Sequence, residues 1–128
     1  MLASNYQQQY LKTKVETASP GDLTLLLYEE LYRKLNMAKS HLEKDQDIEM
    51  FERIDGARAI MYELMGTLNF EYAIAHELRD LYQFYVTQLN VFAIKKQPEL
   101  LDAVIEFAKG FAETWKQALQ ISKSGKGK

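Results

Sequence analysis

Apolar residues return every three or four positions along four successive stretches of this chain, and no other feature constrains its fold as tightly. Met50, Ile54, Ala57, Met61, Leu64 and Leu68 form one such stripe, Ile74, Leu78, Leu81, Tyr85, Leu89 and Phe92 the next, and Leu101, Val104, Ala108, Phe111, Trp115 and Ala118 the last. A helix of 3.6 residues per turn gathers each set onto one face, which must then be buried against neighbouring helices. The stretch before them carries Leu23, Leu27, Leu31, Leu35, Ala38 and Leu42 on one face, with Leu25, Tyr28 and Tyr32 on its flank. That arc is wider than a two-helix seam needs, so this first helix is expected to touch more than one neighbour.

Punctuation along the chain agrees with four helices. Ser19-Pro20-Gly21-Asp22 combines a Ser N-cap, a Pro at the first helical position and an acid three residues after the cap. Glu43 to Asp47 is a short charged link, and Asp47, Glu49 and Glu52 place negative charge on the opening turn of the second helix, where the helix dipole favours it. Asn69 is predicted to cap the third helix, Lys95 and Lys96 to close it, and Pro98 to restart the chain in the fourth. Links this short force antiparallel neighbours. The predicted fold class is therefore all-α: an antiparallel four-helix bundle over residues 19–121. Ahead of it lies an N-terminal arm, residues 1–18, able to form a short extra helix; behind it lies a flexible basic tail, residues 122–128.

Several function classes are set aside by composition. Hydrophobic residues at 47% and charged residues at 27% suit one packed core with a soluble exterior. The formal net charge is -2 and no helix carries a Lys/Arg stripe, so a nucleic-acid partner is not expected. There is no cysteine, which removes disulfides and thiol chemistry and fits a reducing compartment. The first residues lack a basic, then apolar, leader, and no stretch has the roughly 18 uninterrupted apolar residues of a membrane span. A cytoplasmic protein without direct membrane insertion is expected.

Catalytic and metal-binding patterns are missing as well. A carboxylate-bridged metal site in a bundle needs Glu-x-x-His motifs, and neither His41 nor His76 has a Glu three residues before it. His76 and Asp80 lie one turn apart but offer two ligands without a third. Met residues at stripe positions read as core filler, not haem ligands. Gly125-Lys126 has no strand before it and no helix after it, as a phosphate loop requires. No enzyme, metal or cofactor is predicted.

Large amphipathic residues are in excess instead: Tyr 8, Phe 6 and Trp 1. A phenol fits best where an apolar surface meets a wet edge, as in a groove that receives another chain. Met61, Leu64, Met65 and Leu68, with Tyr62 beside them and Gly66 expected to permit close backbone approach, add an apolar arc wider than one neighbour would cover. Both features point to a protein-binding bundle.

Five strings, in this order and spacing, give the chain a family likeness: the arm with Tyr6 and Tyr10, Ala18-Ser19-Pro20-Gly21-Asp22-Leu23-Thr24-Leu25-Leu26-Leu27-Tyr28, Glu63-Leu64-Met65-Gly66-Thr67-Leu68-Asn69, Leu81-Tyr82-Gln83-Phe84-Tyr85, and Trp115. The sequence resembles the FliS family of flagellar export chaperones. It departs from the usual family pattern at Glu29-Glu30, where a small residue is common, and at Phe92-Ala93, where Ala-Asn is common. The resemblance implies a cytoplasmic antiparallel bundle that holds the disordered C-terminal segment of flagellin, blocks premature polymerisation, and assists delivery to the type III export apparatus, with export-gate components as further partners. On that reading Met61, Leu64, Met65, Leu68, Tyr82, Tyr85 and Leu89 are apolar client contacts, Asn69 and Gln88 hydrogen-bond the client backbone, and Tyr6 and Tyr10 anchor the arm near the same groove. The alternative is a structural or signalling bundle that self-associates through this surface without a flagellin client.

Overall fold

A computed structural model describes residues 20–125, and the expected contacts of Tyr6 and Tyr10, the cap at Ser19 and residues 126–128 fall outside them. Among the described residues there are four helices and no strand: α1 (Pro20–Glu43), α2 (Asp47–Gly66), α3 (Ala73–Lys95) and α4 (Pro98–Gly125). They run up and down in sequence, so α1 and α3 stand diagonally across the bundle. Two ends result. One holds the α1–α2 and α3–α4 links, and the other holds the α2–α3 connection, the start of α1 and the end of α4.

Most of the helix ends follow from local chemistry. α1 opens on Pro20 with Asp22 in its first turn, α2 has Asp47 and Glu49 in its first turn, and α4 opens on Pro98. Lys96 closes α3 in the left-handed conformation at φ 54°, donating its backbone N–H to the Phe92 carbonyl at 2.7 Å. The third start differs from expectation. α3 begins at Ala73 without a side-chain cap, and Asn69 instead accepts the Glu71 backbone N–H at 3.0 Å, turning the connection before the helix starts. α4 continues through Gly125, four residues beyond the boundary expected at Ile121. The Lys123 ammonium meets the Asp22 carboxylate at 3.2 Å, joining this extension to the first turn of α1.

The predicted stripes form the core, with local rotations. Leu27, Leu31, Leu35 and Ala38 of α1, Met50, Ile54, Ala57, Met61 and Leu64 of α2, and Leu101, Val104 and Ala108 of α4 are all interior. In α3 the inward line is Ala75, Tyr82, Val86, Leu89 and Phe92, so Ile74 lies 57% exposed instead of inside. Ala118 is likewise exposed, while Phe107, outside the expected stripe, is buried. α1 packs intimately on α2 and α4, whereas α3 meets its neighbours more lightly. At the close α1–α2 pair the stem of Lys34 covers Gly56 so tightly that an added Cβ would lie 3.0 Å from it, while large rings, Tyr82, Tyr85, Phe107 and Phe111, fill the space between α3 and α4. Glu30, at one departure from the family pattern, is taken up by Arg33 at 2.5 Å and Lys34 at 3.7 Å; Phe92, at the other, is a core residue.

Candidate functional site

The two ends of the bundle are packed differently. Around Leu35, Ala38, Met50, Ile54, Phe92 and Leu101 the interior is fully enclosed, and the surface there is tied by Lys39 to Asp102 at 2.7 Å and Lys96 to Asp47 at 2.5 Å. The hydrogen bond that its ammonium donates to the Asp102 carboxylate raises the Lys39 pKa above the usual lysine value. Toward the α2–α3 connection the core turns aromatic and stops being filled.

Among the described residues a concave apolar cleft opens there, and a groove lies farther along between α3 and α4. An end cleft of about 160 Å³ is lined by Thr24 and Tyr28 of α1, Leu68, Asn69 and Tyr72 of the connection, Leu78 and Tyr82 of α3, and Trp115 of α4. Its polar atoms are largely engaged: Thr24 donates to the Pro20 carbonyl at 3.2 Å, Thr67 to the Leu64 carbonyl at 2.7 Å, and the Trp115 indole N–H to the Gly21 carbonyl at 2.8 Å. What remains for a visitor is mainly apolar surface. A side groove of about 340 Å³ lies between α3 and α4, walled by Leu81, Tyr85, Phe107 and Phe111, with Glu106 and Thr114 also lining it.

A continuous set of rings separates the cavities. Tyr85 stacks on Phe107 with centroids 4.1 Å apart, Phe107 meets Phe111 at 4.7 Å, Phe111 meets Tyr28 at 5.5 Å, and Tyr28 meets Trp115 at 6.4 Å. The Tyr28 and Tyr82 hydroxyls hydrogen-bond each other inside the bundle. Burial, added to by that bond, pushes Tyr28 far above the usual tyrosine range, and burial also raises Tyr82. Outside the rings, Tyr72 is 64% and Phe84 57% exposed, next to the cleft and groove respectively.

The sequence-predicted contacts divide sharply by position. Met61, Leu64 and Leu89 are interior residues and offer no surface to a client in this conformation, because the stripe that would meet a partner is the same one that closes the bundle, and Tyr82 is buried with only an edge on the end cleft. Met65, Leu68, Tyr85 and Gln88 are half-buried, and Asn69 is exposed. Leu68 and Asn69 come together in the end cleft, whereas Tyr85 lines the side groove. Gly66 does not serve close approach, since an added Cβ there would meet nothing within 4 Å. Periodicity missed Tyr72, Phe107 and Trp115 as cavity residues, and Phe84 as the exposed ring against Tyr85; the aromatic spacing Phe107, Phe111, Trp115 was the available signal.

Both histidines serve local structure. His41 Nδ1 pairs with Gln46 Oε1 at 2.7 Å, and His76 Nε2 donates to the Phe70 carbonyl at 3.1 Å. Among the described residues no group of His, Asp and Glu is arranged to hold a metal ion, and no helix is long and apolar enough to cross a membrane. The arrangement suits recognition of an apolar chain.

Comparison with known proteins covers nearly the whole sequence. The profile of the family described as flagellar protein FliS matches residues 2–122. The flagellar secretion chaperone FliS of Bacillus subtilis (strain 168) is 30% identical over 120 residues, 94% of this chain and 90% of that protein. The flagellar secretion chaperone FliS of Vibrio cholerae serotype O1 is 27% identical over 114 residues, 88% of this chain and 84% of its own length. The protein of the same name from Campylobacter jejuni is 26% identical over 110 residues, 84% of this chain and 86% of its own length.

Proposed function

The chain belongs to the FliS family of flagellar proteins, and on that premise we propose that it is a cytoplasmic flagellar secretion chaperone. It binds the disordered C-terminal segment of flagellin, prevents premature polymerisation, and assists delivery to the type III export apparatus, where export-gate components are further partners. It works by stoichiometric binding, without turnover. The observation that carries this reading is the family match over residues 2–122. Physical support comes from the two apolar cavities and the exposed rings beside them, which suit a segment that folds as it binds.

The client-facing residues on this reading are Leu68, Asn69 and Tyr72 at the end cleft and Leu81, Phe84 and Tyr85 at the side groove, with Met65 and Gln88 beside them. Tyr6 and Tyr10 extend the surface from the arm. Titration with a flagellin C-terminal peptide tests the proposal. Wild type should form a one-to-one complex by mass, and Phe84→Ser should weaken binding while shifting stability by less than about 0.5 kcal/mol, since its side chain is mostly exposed. A bundle that only self-associates, with no peptide uptake, would support the structural alternative.

A further inference from the structure

α3 is held unevenly along its length. Its second half gives Val86, Leu89 and Phe92 to the enclosed core and is tied outward by Arg58 to Asn90 at 2.7 Å and by Lys96 to Asp47 at 2.5 Å. Residues 73–84 bury only Ala75 and Tyr82. Both cavities adjoin this first half, since Leu78 and Tyr82 line the end cleft and Leu81 lines the side groove. A segment that, among the described residues, is sparsely packed on two sides forfeits the corresponding dispersion contacts, and sparse burial marks units that open below the cost of global unfolding.

The remaining ties on this half are mostly local. His76 bonds the Phe70 carbonyl, and the Arg79 guanidinium lies 5.6 Å from the centre of the Phe70 ring. Phe70 belongs to the α2–α3 connection and can travel with the helix, so these contacts do not oppose movement. The Tyr82–Tyr28 hydrogen bond is different. It crosses the bundle to α1, which is packed intimately against α2 and α4.

We propose that residues 73–84 form a flap, hinged on the Val86 to Phe92 segment and latched by the Tyr82–Tyr28 hydroxyl bond, whose opening joins the end cleft and side groove into one trough for the client. In the open state Leu64 and Tyr82, interior when closed, become contact surface. The trough rests on the chaperone reading above; the flap does not.

Native-state hydrogen exchange of the full chain, followed by mass spectrometry in sub-denaturing urea, tests it. Amides of residues 77–84 should exchange faster than those of α1 and residues 86–92, with a shallow urea dependence that reports little exposed surface. Tyr82→Phe keeps the ring and removes the latch, so the flap rate should rise roughly tenfold with its shallow urea dependence intact. Tyr28→Phe should do the same from the opposite side. Equal protection and equal urea dependence in both halves of α3 would overturn the flap, and a flap rate unmoved by either variant would overturn the latch. Because a client that binds only the open state is penalised by its low population, Tyr82→Phe should also bind flagellin C-terminal peptide several-fold more tightly. Unchanged or weaker affinity would overturn the trough. A chain that shows the flap but takes up no flagellin peptide would leave the flap standing and overturn the chaperone reading.

Discussion

A phenol in a bundle core must find a partner for its hydroxyl, and Tyr28 and Tyr82 find each other across the diagonal of four helices. Removing one partner leaves the other polar and buried. Tyr28→Phe should therefore cost about 1 to 3 kcal/mol in urea unfolding, as should Tyr82→Phe, whereas the double variant should cost clearly less than the sum of the two. Additive costs would mean that the hydroxyls do not stabilise one another. The same burial gives the fold a stability contribution that depends on alkaline pH. Both groups are raised above the ordinary tyrosine value of 10.0, so the folded protein keeps these protons where the unfolded chain releases them. Their contribution is fully present below pH 10 and is lost as pH climbs above it toward the folded-state values. Unfolding free energy measured against pH should turn downward there, and the Tyr28→Phe/Tyr82→Phe double variant should turn down less steeply.

The helices have well-packed portions and more exposed ones, and the end cleft and side groove adjoin the more exposed turns. α4 is the clearest case: Leu101, Val104, Phe107 and Ala108 are interior, while beyond them Phe111, Ala112 and Trp115 are only half-buried. The later turns are fastened to α1 by specific contacts. Trp115 donates to the Gly21 carbonyl, Lys123 pairs with Asp22, and an added Cβ on Gly21 would come within 2.9 Å of the Leu119 side chain. Trp115→Phe keeps a ring against Tyr28 but loses the indole donor, and should lower stability by about 1 kcal/mol in circular-dichroism-monitored urea unfolding. No loss would mean that water replaces the bond without cost and that ring packing alone holds α4 to α1.

At the scale of the bundle, and among the described residues, one end is closed and mostly aliphatic, and the other is more open and rich in aromatic rings. That polarity matches a protein that must stay folded while exposing an apolar site. A client that folds into these cavities buries apolar area and loses chain entropy together, so calorimetry with a flagellin C-terminal peptide should give a clearly negative heat-capacity change and an unfavourable entropy of ordering. A heat-capacity change near zero would argue for a small rigid contact and against a wrapped client.

Much of this was legible in the residues, for definable reasons. The 3.6-residue repeat, the Pro20 and Pro98 starts and the closing Lys95-Lys96 are local signals, and they gave four helices in antiparallel order because short links permit no other arrangement. The strings around Leu27-Tyr28, Leu64 to Asn69 and Leu81 to Tyr85 carried the family. Periodicity says which side of a helix is apolar, but not how much of that side its neighbours will cover. Met61 and Met65 lie one turn apart on one apolar arc, yet Met61 is sealed in the core and Met65 remains partly open, because coverage depends on where the other helices lie. The sequence alone therefore determined the helices, their order and the family; the tertiary structure decided that Tyr82 pairs inward with Tyr28, that Phe84 and Tyr72 face outward, and that among the described residues a cleft opens at the α2–α3 end and a groove between α3 and α4.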